Sequence, residues 1–140
     1  MYLFDVNVWV HAHREDSARH SEIAPFVRDV LNSPKPFAYS PLILSGFLRV
    51  VTHPRVFTLP TPFDTAMAFA DSIAGHPRSY PVQPGEAHWN IFTHLCYAAT
   101  PSGNLFPDLF LAALAIESGC TFITCDRGFE QFPGLAFKII

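Results

Sequence analysis

Two short apolar runs near opposite ends of the chain each stop at an aspartate, and that pairing constrains the fold more than any other feature. Tyr2-Leu3-Phe4 runs into Asp5, and Thr121-Phe122-Ile123-Thr124-Cys125 runs into Asp126. Both runs read as buried β-strands. In open α/β sheets, sites form outside the carboxyl ends of parallel strands. A third acid, Asp108, opens the long apolar helix that precedes the second run. Three converging carboxylates suit a hard cation such as Mg²⁺ or Mn²⁺. Taken singly, each acid also has an ordinary reading. Asp5 and Asn7 can cap the following helix. Asp108 can answer a helix dipole, worth roughly 0.3–1 kcal/mol. Asp126 sits in a commonplace strand-to-turn link. Their joint placement on one rim favours a site, because carboxylates a few ångströms apart repel and a divalent cation keeps them ionised.

The rest of the chain alternates helices with short strands. Strands are predicted at residues 1–4, 37–39, 79–82, 121–125 and 135–139. Helices are predicted at residues 6–13, 21–31, 42–52, 64–74, 86–98 and 108–118, with one helical turn at 127–132. Ile23, Phe26, Val27, Val30 and Leu31 follow the i, i+3, i+4 spacing of an amphipathic helix. Pro41 and Pro107 stand at first-turn positions, where a missing N–H costs nothing. Gly119 ends the last long helix. Strands that are apolar throughout and alternate with helices imply a parallel sheet covered on both faces. The expected fold is α/β, a three-layer α/β/α sandwich around four or five parallel strands. Residues 1–140 are read as a single domain.

Apolar residues make up 49% of the chain and charged residues 15%, which excludes a disordered chain. The net charge of −3 supplies no global positive field for nucleic acid, though a metal could supply a local one. The three cysteines form no CxxC pair and fit a reducing compartment. No signal peptide is visible, and no apolar run reaches the roughly 18 residues of a membrane span. A cytoplasmic location without membrane association is expected.

Four blocks carry a resemblance: Leu3-Phe4-Asp5-Val6-Asn7-Val8-Trp9, the segment from Gly46 to Phe57, Gly103-Asn104-Leu105-Phe106-Pro107-Asp108, and Thr124-Cys125-Asp126-Arg127-Gly128-Phe129 ahead of Phe132-Pro133-Gly134-Leu135. In that order and spacing the chain resembles PIN-domain proteins, and more narrowly the VapC ribonuclease toxins of toxin–antitoxin pairs, in their mycobacterial branch. The resemblance implies an endoribonuclease dependent on Mg²⁺ or Mn²⁺, with tRNA or ribosomal RNA as substrate class. It also implies a homodimer and a VapB-type antitoxin as partner. By the same analogy Asp5, Asp108 and Asp126 are catalytic and hold the metal, and products carry 5′-phosphate and 3′-hydroxyl ends. One departure stands out. The family's usual acid on the third helix falls at Gly46, preceded by Ser45. Glu117 lies nine residues beyond Asp108, about 13 Å along a helix, too far to replace it. The loss of that acid leaves open a catalytically weakened module that binds RNA or antitoxin.

Asn7, Thr124 and Ser45 are supporting candidates. Thr124 can hydrogen-bond within the site or simply suit its strand. Arg14 and Arg49 are candidates for RNA phosphate, with a helix-end cation and an ion pair as their ordinary readings. His11, His13, His20 and His53 form no complete zinc set. Trp9, Trp89 and the fourteen Phe are expected mostly in the core.

Overall fold

The computed structural model describes residues 1–140. The elements run β1 (Tyr2–Phe4), α1 (Val6–His13), α2 (His20–Asn32), β2 (Phe37–Tyr39), α3 (Pro41–Val51), α4 (Phe63–Ala74), β3 (Ser79–Pro81), α5 (His88–Ala99), α6 (Leu105–Glu117), β4 (Thr121–Thr124), a 3₁₀ turn (Arg127–Gln131) and β5 (Phe137–Ile139). The five strands form one sheet in the order β3-β2-β1-β4-β5, and every pairing is parallel. The expected sandwich is therefore present, with five strands.

Its cause is legible in the strands. Leu3, Phe4, Phe37, Ala38, Phe122 and Ile123 are fully buried. A strand that is apolar on both faces must be covered on both faces, which parallel crossovers with helices achieve. The chain steps from β1 to β2 to β3 in one direction, then returns past β1 to place β4 on its other side. Right-handed crossovers then put α1–α4 on one face and α5–α6 on the other. In agreement, α1 packs on α2 and α3, α3 on α4, and α5 on α6. The strand order reverses between β1 and β4, and there Asp5 directly follows β1 while Asp126 lies two residues beyond β4, which ends at Thr124 and not at the expected Cys125.

Three expectations need correction. Helix α6 begins at Leu105, so Asp108 lies inside its first turn and does not open it. Helix α5 begins at His88, two residues later than read from the sequence. With that start its inward face carries His88 and Leu95, and Trp89 is left 65% exposed. His88 Nε2–H donates to the Phe110 carbonyl at 3.0 Å, and the two rings lie 4.2 Å apart. A buried ring with a satisfied N–H displaces the larger indole, whose pairing with Phe92 is a surface contact. Phe63 and Phe106 are exposed as well.

Glu117 has a structural task at the far end of α6. Its carboxylate accepts from Gly85 N–H at 2.8 Å and Ala87 N–H at 2.9 Å. These are donors just ahead of α5, which has no side-chain cap of its own.

Candidate active site

Asp5 follows β1 and is the N-cap of α1. Its Oδ1 accepts from Val6 N–H at 2.7 Å, so the capping reading holds. The cap does not exhaust it. Thr124 Oγ1–H donates to Asp5 Oδ2 at 2.6 Å, and Asn7 Nδ2–H donates to the same oxygen at 2.8 Å. The Thr124 hydroxyl in turn accepts from Asn7 Nδ2–H at 3.2 Å and from Asp126 N–H at 3.0 Å. Asn7 Oδ1 accepts from Cys125 N–H at 3.1 Å. One donor and two acceptor positions of the buried hydroxyl are all used. The ends of β1 and β4 are thereby tied by side chains more than a hundred residues apart in sequence. Both supporting candidates, Asn7 and Thr124, hydrogen-bond to the Asp5 carboxylate.

Asp108 and Asp126 complete the set. Both line the same pocket as Asp5 and Asn7, a space of about 270 Å³ walled otherwise by Val6, Val10, His11, Val50 and Phe129. Asp126 caps the 3₁₀ turn by accepting from Gly128 N–H at 2.7 Å. Asp108 is half-buried. The electrostatics show the cost of gathering them. Burial pushes the Asp5 carboxyl up to about 6, and repulsion from Asp108 and Asp126 adds to it, against the hydrogen bonds from Thr124 and Val6. Burial raises Asp108 as well, with Asp126 the second cause.

The donor chemistry fits a hard divalent cation. All three side chains are carboxylates, and positive charge between them would relieve the repulsion that raises two of them. No three acidic, His or Cys side chains stand close enough to form a ready-made shell. Mg²⁺ tolerates such an open set, because it retains several waters and takes only one or two carboxylates.

Other candidates lie elsewhere. Ser45 and Arg49 line a separate groove of about 570 Å³ between α3, α5 and α6, with Phe92, Phe106 and Phe110. Val6 lines both spaces and stands between them. Arg14 is committed to the fold. Its guanidinium pairs with Asp16 at 2.6 Å, donates to the Leu59 carbonyl at 2.8 Å and covers the Phe57 ring at 4.1 Å. Its side chain is only 10% exposed, so it pins the Pro-rich loop and is not available to phosphate. The histidines are likewise used locally: His11 meets Ser17, His13 packs on Phe47 and Phe69, His20 meets the His11 carbonyl, and His53 accepts from Arg55 N–H.

Val6 is the site residue that sequence reasoning missed. A Cβ placed on Gly46 would lie 2.8 Å from Val6 Cγ2. Gly46 thus lets α3 approach α1 closely, and Val6 occupies the space that a side chain at position 46 would enter. The signal was present: the residue after a strand-end Asp opens the next helix beside the site. Gly46→Ala is accordingly expected to lose about 1 kcal/mol in thermal unfolding. Overpacking costs roughly 1–3 kcal/mol, against about 1 kcal/mol of gained helix propensity. Val6→Ala in the same chain should restore the loss, giving a coupling measurable by a double-mutant cycle. A stabilised Gly46→Ala single variant would show that the two helices have slack.

Comparison with known proteins gives one consistent picture. The PIN domain family matches residues 2–135. The chain is 37% identical over 135 residues to Ribonuclease VapC25 of Mycobacterium tuberculosis, covering 96% of this chain and 95% of that one. It is 37% identical over 138 residues to Ribonuclease VapC43 of the same organism, covering 99% and 94%. Among solved structures, VapBC2 from Rickettsia felis bound to a promoter DNA fragment aligns with a TM-score of 0.72 at 16% identity, over 99% of this chain and 97% of that one. M. tuberculosis VapC20, a sarcin-ricin loop cleaving toxin, aligns with a TM-score of 0.65 at 14% identity, over 96% and 98%. At those identities the structural likeness speaks for the fold.

Proposed function

The chain belongs to the PIN-domain family, and from that premise we propose that it is a VapC-type endoribonuclease toxin that hydrolyses RNA phosphodiester bonds with Mg²⁺ or Mn²⁺. The observation that carries this reading is the convergence of Asp5, Asp108 and Asp126 in one pocket at the reversal point of a parallel sheet. Relatives named ribonuclease VapC span nearly the whole chain. The substrate class is structured RNA of the tRNA or ribosomal type, as the sarcin-ricin loop specificity of VapC20 suggests.

Asp5, Asp108 and Asp126 would hold the cation. When bound, it acidifies water and neutralises charge developing on phosphoryl oxygens. The chain's own contribution is preorganisation. Val6 N–H, Asn7 and Thr124 fix the Asp5 carboxylate in one orientation, and burial keeps bulk water from screening it. Asp126 is held by Gly128 N–H, and the first turn of α6 presents Asp108. No side-chain nucleophile is required. In the neighbouring groove Arg49 is an exposed cation positioned to meet RNA phosphate.

The partner is a VapB-type antitoxin, in keeping with neighbours solved as VapBC and FitAB complexes, and the working unit is a homodimer in the cytoplasm. No helix is long and apolar enough to cross a membrane.

Incubation of total cellular RNA with the purified chain in Mg²⁺, Mn²⁺ or EDTA tests the reading. Discrete fragments should form with metal, disappear in EDTA and disappear in Asp108→Asn. A second reading has one observation in its favour: helix α3 contains no acid at all. RNA or antitoxin binding without cleavage in either metal would select that binding module.

A further inference from the structure

We propose that His11 is a further substrate-contacting residue, its Nε2–H donating to a non-bridging phosphate oxygen of the RNA while Ser17 holds the ring in place. This role rests on the ribonuclease reading and adds to that site a group outside the acids. His11 stands one helical turn beyond Asn7, so the two share a face of α1. Both line the pocket of Asp5, Asp108 and Asp126. The ring is held from one side only. Its Nδ1 meets the Ser17 hydroxyl, which also accepts from Arg19 N–H at 3.4 Å. His20 Nδ1–H donates to the His11 carbonyl at 2.9 Å, which fastens the start of α2 against α1. His11 Nε2 has no partner in the protein. The buried polar side-chain atoms without a partner are Ser40 Oγ and Arg78 Nε, so the unpaired Nε2 is open to solvent.

Burial, with the Arg19 charge as second cause, lowers the His11 pKa. The ring is therefore neutral at ordinary pH and has one proton to place. Ser17, already an acceptor toward Arg19, has its own proton for Nδ1. The ring proton then lies on Nε2, which makes that nitrogen a donor and not a metal ligand. The rest of the wall offers nothing equivalent. Val6, Val10, Val50 and Phe129 are apolar. Asn7 spends its amide hydrogens on Asp5 and Thr124. Ionised acids only accept. A phosphodiester carries negative oxygens that the carboxylates repel, so a donor beside them fixes where the phosphate lies. His11 is the one side chain of this wall with a hydrogen to give, and hydrogen bonds to a charged oxygen are the strong kind.

Histidine side-chain nitrogen NMR of the full chain reads the tautomer, with the His11 signal identified by its loss in His11→Gln. A proton on Nε2 is expected. A proton on Nδ1 overturns the proposal, whatever the chain cleaves. Cleavage of total cellular RNA in Mg²⁺ reads the contact itself. His11→Phe keeps an aromatic ring without the donor and should slow cleavage by roughly 10²-fold, the cost of one lost transition-state donor. His11→Gln supplies an amide N–H and should recover most of that loss, with thermal unfolding showing both variants folded. Ser17→Ala should slow cleavage by less, since the donor remains and only its orientation is freed. An unchanged rate in His11→Phe, or a His11→Gln as slow as His11→Phe, removes the contact and leaves the ribonuclease. Absence of metal-dependent cleavage by the parent chain removes the ribonuclease reading and the role of His11 with it.

Discussion

Asp5→Asn should give a chain that no longer cleaves RNA and that, in EDTA at neutral pH, is more stable than the parent. The two effects have one cause. Asp5 is 6% exposed and its carboxyl is raised to about 6 by burial. A carboxyl raised in the folded state from its ordinary value of 3.8 holds its proton longer than it does in the unfolded chain. Unfolding therefore releases a proton between pH 3.8 and about 6, and stability falls as pH rises through that window. At pH 7 the buried charge costs the metal-free fold about 3 kcal/mol, since each tenfold change in proton affinity between the two states is worth about 1.36 kcal/mol. Asparagine removes that charge and keeps an oxygen for the Val6 cap. Its amide cannot accept from both Asn7 and Thr124, which takes back part of the gain. A net stabilisation of about 1–2 kcal/mol is expected, since a neutral hydrogen bond is worth roughly 1 kcal/mol. Thermal unfolding in EDTA should show the variant above the parent at pH 7 and the difference closing toward pH 4. Cleavage should fall by about 10³-fold or more, because several kcal/mol of charge stabilisation are lost at about 1.36 kcal/mol per decade. A variant less stable than the parent at pH 7 would mean that the hydrogen bonds of Asp5 outweigh its burial.

Thr124→Val is isosteric and should be costly in both stability and activity. The hydroxyl it removes is fully buried and makes three hydrogen bonds. Without it, Asp5 Oδ2 loses its 2.6 Å donor and Asp126 N–H loses its acceptor. Each buried group left unsatisfied costs roughly 1–3 kcal/mol. About 2–4 kcal/mol of destabilisation is expected, with cleavage reduced by about 10- to 100-fold as Asp5 loses its fixed orientation, a misplacement effect of the size seen for ångström shifts. Thr124→Ser keeps the hydroxyl and should recover most of the cleavage. That recovery separates a positioning role from strand packing, since Ser packs worse than Val yet should cleave better. Equal activity in the Val and Ser variants would reduce Thr124 to a packing residue.

Much of the site was readable because its parts are local. An Asp that closes an apolar run sits near a strand end whatever else the chain does: Asp5 directly follows β1, and Asp126 lies two residues past β4. Pro107 and the long Leu/Ala run place Asp108 in the first turn of a helix, within a few residues of where the helix begins. Misreadings arose where a side chain had a choice of partner. Arg14 caps the far end of α1, where Asp16, Leu59 and Phe57 hold it and its ordinary reading as a helix-end cation suffices. Trp89 and His88 are neighbours on one helix, and a single carbonyl on α6 decides which turns inward.

Strand burial and helix capping act over a few residues. The alternation of strands and helices, the parallel sheet and the three acids at element ends are therefore written into the chain itself. Three further facts are not: that those acids share one pocket, that Thr124 and Asn7 saturate Asp5, and that Val6 occupies the space beside Gly46. Each of these arises only in the folded molecule, from how β1 meets β4 and α1 meets α3. Such contacts join residues far apart in the chain, and no local propensity encodes them.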